Sequence, residues 1–70
     1  MNSQWATVKA SDVEPGQRVR MPNGTELTAT RIETRFFGMD NMLAFIEDTE
    51  HRWFKQPAQA DADVEVSQAP

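Results

Sequence analysis

Apolar and polar positions alternate at the start of this chain. In the run Trp5-Ala6-Thr7-Val8-Lys9-Ala10, residues Ala6, Val8 and Ala10 share one side and Thr7 and Lys9 the other. A period of two predicts a half-buried β-strand. Ser11-Asp12-Val13-Glu14 has the form of a helix cap, but Pro15 and Gly16 stop it after one turn. Glu14-Pro15-Gly16-Gln17 carries Pro and Gly in the two central positions of a type II turn.

The pattern then predicts a hairpin with a definite register. A two-residue Asn23-Gly24 loop would set Arg20 against Leu27. A three-residue loop, Pro22-Asn23-Gly24, pairs Val19 with Leu27 and Arg20 with Glu26. Apolar then meets apolar on one face and opposite charges meet on the other. Pro22 pre-sets φ for a type I turn, and Gly24 accepts the left-handed third position. The strand leaving this turn, over residues 25–34, changes phase. Leu27 and Ala29 are odd-numbered, whereas Ile32 is even, so a bulge or bend near Thr30 is expected to carry the chain from one small sheet to another.

Residues 35–41 read as a loop with apolar content. Met42-Leu43-Ala44-Phe45-Ile46 reads as a central strand, Asp48-Thr49-Glu50-His51 as a turn, and Arg52-Trp53-Phe54-Lys55 as a fifth strand with Glu47 opposite Arg52. From Pro57 the chain becomes Ala-, Asp- and Gln-rich and loses large apolar groups. The expected division is therefore a small β-barrel domain over residues 1–56 and a low-complexity, flexible acidic tail over residues 57–70. Within that tail, Val64-Glu65-Val66 is a candidate closing edge strand at residues 63–66.

Seventy residues with no cysteine bound the rest. Such a chain buries about 60% of its unfolded surface and reaches a net stability of about 3–5 kcal/mol without disulfide support. Met1-Asn2-Ser3-Gln4 has neither the basic nor the apolar stretch of a signal peptide, and no apolar run approaches the roughly 20 residues of a membrane helix. A cytoplasmic protein with no membrane partner is expected. The net charge is −4, but up to Gln56 seven basic residues face eight acidic ones, so the body is nearly neutral. A neutral body lacks the general attraction to phosphate on which non-specific nucleic-acid binding rests.

Five or six short strands with tight turns, one of them bulged, predict an all-β fold of the small-barrel kind. The run Asp12-Val13-Glu14-Pro15-Gly16-Gln17-Arg18-Val19, followed by Asn23-Gly24, resembles the opening of SH3-like small barrels, including those of short bacterial and phage proteins. The resemblance spans roughly residues 6–56. It implies a fold and carries no site residues with it.

Chemistry-bearing motifs are sparse. His51 is the sole histidine and lies in a polar turn, short of the three or four ligands of a zinc site. Glu47, Asp48 and Glu50 lack the spacing of a calcium loop. No serine has a histidine partner in its context, and the three glycines lie in separate turns. The expectation is a non-enzyme with no cofactor and no metal. The aromatics carry more information. Adjacent pairs, Phe36-Phe37 and Trp53-Phe54, point to opposite sides of an extended chain, so one small core cannot take them all. A partly exposed aromatic surface predicts an interaction module that binds a protein partner or self-associates, through Trp5, Arg35, Phe36, Phe37, Arg52 and Trp53. The second expectation is single-stranded nucleic acid stacked on Phe36 and Trp53, with Arg31, Arg35, Arg52 and Lys55 as flanking cations.

Overall fold

A computed structural model describes residues 4–67. Strand β1 spans Trp5–Lys9 and runs into a 3-10 turn at Ala10–Asp12. Then come β2 (Arg18–Arg20), β3 (Glu26–Thr28) and β4 (Arg31–Thr34), a second 3-10 turn at Phe36–Gly38, β5 (Met42–Asp48), β6 (Trp53–Gln59) and β7 (Asp63–Ser67). All pairings are antiparallel. The described residues form two sheets, ordered β1-β7-β2-β3 and β4-β5-β6.

The fold is all-β, but it is not a closed barrel: β1 and β3 are the edges of one sheet, β4 and β6 those of the other. One cluster of buried side chains lies between them. Val19, Leu27, Val64 and Val66 come from the first sheet and Leu43, Phe45 and Ala58 from the second.

The hairpin forms as its turn chemistry requires. Val19 pairs with Leu27 and Arg20 with Glu26. Gly24 has φ +93°, and the Asn23 side chain accepts the Thr25 N–H at 2.9 Å. The register places Arg20 beside Glu26, yet the ion pairs run elsewhere. Arg20 Nε donates to Glu65 Oε1 at 2.8 Å, and Glu26 meets Arg18 at 3.7 Å. The phase slip is a true break. Thr30 N–H bonds back to the Thr28 carbonyl at 2.9 Å, a γ-type turn about Ala29 that ends β3 and redirects the chain into the second sheet.

The fifth-strand register differs from expectation by two residues, which leaves each side chain on its expected face. Asp48 pairs with Trp53 and Glu47 with Phe54, because Thr49 N–H bonds the Arg52 carbonyl at 2.9 Å and closes a four-residue loop over 49–52. Arg52 still reaches the Glu47 carboxylate at 3.8 Å, from the side.

The largest correction concerns the expected tail from Pro57. Residues 57–59 continue β6, and Asp63–Ser67 form β7, which lies between β1 and β2 rather than at an edge. Val64 and Val66 are almost wholly buried. Proline is tolerated in β6 for a geometric reason. Thr49 N–H to Arg52 and Ala60 N–H to Asn41 (2.7 Å) mark the odd-numbered positions of β5 as its hydrogen-bonded partners to β6. Pro57 pairs with Ala44, so its nitrogen faces away from β5, where no ladder hydrogen bond is lost. Low side-chain volume also served packing: Ala58 is buried against the core and Ala60 half-buried. Residues 1–3 and 68–70, on which part of the signal-peptide and tail expectations fell, lie outside the described residues.

A candidate interaction surface on the three-stranded sheet

The second sheet has two chemically different faces. Ile32, Leu43, Phe45 and Ala58 turn inward to the core. The opposite phase puts Arg31 and Glu33 of β4, Ala44 and Ile46 of β5, and Trp53, Lys55 and Pro57 of β6 on the outer face. Ala44 and Ile46 are buried there although they belong to no part of the main core. Their cover comes from outside the sheet. Ile46 is the floor of a shallow groove of ≈ 260 Å³ walled by Arg31, Glu33, Trp53 and Lys55. The Phe36–Gly38 turn folds back against β5, and Lys55 Nζ lies 5.1 Å from the Phe36 ring centroid.

The loop that supplies Phe36 is held in an uncommon conformation. Arg35 (φ 55°) and Phe37 (φ 59°) both adopt left-handed backbone, each at a cost of about 1–3 kcal/mol for a residue other than glycine. Gly38 N–H to Arg35 and Met39 N–H to Phe36 close the turn, at 2.8 and 3.1 Å. The result is that Phe36 lies against the sheet and Phe37 stands outside it, ring centroids 4.3 Å apart. Phe37 is 84% exposed and Trp53 59%.

The six residues singled out from the sequence therefore separate. Phe36 and Phe37 contact each other beside the Thr34–Leu43 end of the sheet, and Trp53 lies on its outer face at the Asp48 end. Trp5 does not join them. It lies on the outer side of the other sheet, half-buried under the Arg20 guanidinium at 4.2 Å. Arg52 turns to the inward phase, 5.0 Å over Phe54 and against Glu47. Arg35 pairs with Asp40 at 3.0 Å on the rim of a separate apolar groove, of ≈ 340 Å³, that also includes Val13, Ile32 and Leu43. Ile46 was not anticipated at the surface groove. Its continuous apolar run concealed which face each residue takes, and only the pairing with Lys55 shows it. Met39, 48% exposed, had no periodic signal.

Electrostatics around the surface are balanced. Arg31 meets Asp48 at 3.7 Å and Lys55 meets Glu33 at 3.1 Å. Elsewhere, Lys9 is raised above its ordinary value of 10.5, first by its hydrogen bond to Asp63 and then by that carboxylate's charge. The contribution of this pair is complete below the ordinary lysine value and is lost only as the pH rises through the higher one, so it is constant across neutral pH. Among the described residues no three His, Cys, Asp or Glu side chains group as metal ligands, and no helix is long and apolar enough to cross a membrane. His51 is exposed, 3.8 Å from Glu50.

Comparison with protein-family models, with curated proteins and with solved structures returned no match for this chain.

Proposed function

We propose that this chain is a non-catalytic interaction module that binds a protein partner through the outer face of its three-stranded sheet. Phe37 and Trp53 are the anchors, Phe36 and Ile46 the apolar base, and Arg31 and Lys55 the rim. A cytoplasmic setting fits the absence of cysteine. The Pro15-Gly16 turn leading into the β2–β3 hairpin supports reading the architecture as an SH3-like barrel left open.

One observation carries the choice of partner. Each of the four cations that would have flanked a nucleic-acid strand has a carboxylate partner: Arg31 with Asp48, Arg35 with Asp40, Arg52 with Glu47 and Lys55 with Glu33. Neutralised cations release few counterions on meeting phosphate, whereas a mixed-charge rim around exposed aromatics suits a protein surface.

The test compares wild type with Phe37→Ala and Trp53→Ala for binding to a partner isolated by the wild-type chain, alongside titration with a single-stranded oligonucleotide pool at low and high salt. Loss of roughly tenfold or more in partner affinity, little salt dependence and no oligonucleotide complex are expected. A micromolar, salt-sensitive oligonucleotide complex would overturn this reading in favour of nucleic acid.

A further inference from the structure

An antiparallel sheet exposes unpaired backbone at its edges unless something blocks it. Of the four edges here, β3 is blocked: its outward Thr28 N–H donates to Glu47 Oε1 at 3.0 Å. The β6 edge is blocked by Pro57, which has no N–H and whose carbonyl accepts from Gln56 Nε2 at 2.9 Å. The β1 edge carries Lys9, held by Asp63, and ends at Trp5 under Arg20; an edge lysine is a common deterrent to pairing.

The β4 edge also carries charges, Arg31 and Glu33, but these are of opposite sign, and among the described residues no proline and no side-chain hydrogen bond caps its outward backbone. The odd positions of β5 serve β6, so the even ones serve β4. The Thr30 hydroxyl fits this, donating to the Ile46 carbonyl and accepting from Asp48 N–H, both at 3.0 Å. Arg31 and Glu33, opposite Ile46 and Ala44, are thus the hydrogen-bonded residues of β4. Ile32 and Thr34 turn their N–H and carbonyl groups outward. Arg31, Glu33 and Thr34 are exposed, and Ile32 is half-buried against the core.

The sequence of this edge complements itself. Thr30-Arg31-Ile32-Glu33-Thr34 reads in either direction as Thr, charge, Ile, opposite charge, Thr. We propose that β4 is the strand through which two copies of this chain pair, antiparallel and centred on Ile32. Ile32 then faces Ile32 of the second copy and exchanges both backbone hydrogen bonds with it. Thr34 N–H reaches the Thr30 carbonyl of the second copy. Arg31 lies across from Glu33 on the outer face, and the reverse pair repeats it. The neighbouring register, centred on Glu33, sets Glu33 against Glu33 and Arg31 against Arg35, so like charges exclude it. Pairing fuses the two three-stranded sheets into one continuous sheet by a two-fold axis. This edge shares Arg31 and Glu33 with the groove that holds Trp53, whereas Phe37 does not line that groove.

The experiment is sedimentation equilibrium on the full chain, from micromolar to millimolar protein, with melting temperature as the folding control. Wild type is expected to reach the mass of a dimer. Thr34→Pro removes the outward N–H at an exposed position and is expected to remain a monomer with its melting temperature kept. Glu33→Arg and Arg31→Glu are each expected to be monomeric, because each sets like charges across the axis. An equimolar mixture of those two variants should recover the dimer mass, since opposite charges then meet at both sites. That mixture decides the matter even if Thr34→Pro does not fold. A wild type that stays monomeric, or a dimer untouched by Thr34→Pro and Glu33→Arg, would overturn the proposal. So would a dimer abolished by Phe37→Ala and kept by Thr34→Pro, which would put self-association on the aromatic face.

Discussion

Arg20 Nε and Glu65 Oε1 lie 2.8 Å apart, across the β2–β7 ladder. This bond joins the first hairpin to a segment whose composition reads as a solvated tail. Val19 and Val66 pair beside it and are among the most deeply buried side chains of the molecule. The acidic end of the described chain is therefore structural. Glu65 is an ion-pair partner in the middle of a sheet, and Asp63 holds Lys9 at 3.0 Å.

Removing the chain from Val64 onward is expected to abolish cooperative unfolding, because β1 and β2 then lose the strand between them. Val66→Ala is the graded version. It deletes two buried methyl groups and leaves a cavity, at a cost of about 2 kcal/mol, a large share of the about 3–5 kcal/mol available to so small a core. Urea denaturation of the variant measures it. A cost near zero contradicts the central place of β7.

Gly24→Val is expected to destabilise by about 1–2 kcal/mol, since φ +93° is strained for a β-branched residue. A Cβ there meets no atom within 4 Å, so the cost is conformational and not steric. Gly24→Asn should therefore recover part of it, as asparagine tolerates left-handed backbone better. Thermal melts of the two variants give the comparison.

Phe37→Gly is expected to stabilise the fold by about 1 kcal/mol, the left-handed strain relieved less the added freedom of the unfolded chain. The mostly exposed ring gives up little burial. The same change should weaken partner binding, so stability and function move in opposite directions. If Phe37→Gly lowers stability, the ring is a structural contact and not an anchor.

Glu47→Leu keeps an apolar stem but removes the acceptor of the Thr28 N–H. Leaving that donor unpaired in the junction between the sheets is expected to cost about 1–3 kcal/mol. Glu47→Gln, which retains an acceptor oxygen, should cost less. Hydrogen exchange at Thr28 reads the effect directly: it should accelerate in Glu47→Leu well beyond any change at Leu27.

Local features of the fold were legible in the sequence, and the surface only in part. A turn is decided by a few adjacent residues, so Pro15-Gly16 and Pro22-Asn23-Gly24 announced their conformations and the hairpin register, but not the ion pairs, since Arg20 takes Glu65 and Glu26 takes Arg18. The phase change between Ala29 and Ile32 likewise announced the bend between the sheets. Aromatic adjacency showed that Phe36-Phe37 and Trp53-Phe54 could not all be buried, and two of those rings are indeed among the most exposed.

The remainder depended on what lies opposite each residue. Pro57 reads as a strand breaker unless its nitrogen faces away from the ladder, which is a property of the neighbouring strand. Val64 and Val66 look like a weak edge strand until β1 and β2 close on both sides of them. Trp5 looks equivalent to Trp53 until Arg20, held by Glu65, covers it. Sequence alone determined the β class, the turns and the excess of aromatic area, because those follow from local torsions and side-chain period. Tertiary structure alone decided which aromatics stay exposed, which cations are neutralised and which edges are blocked, because those follow from contacts between residues distant in the chain.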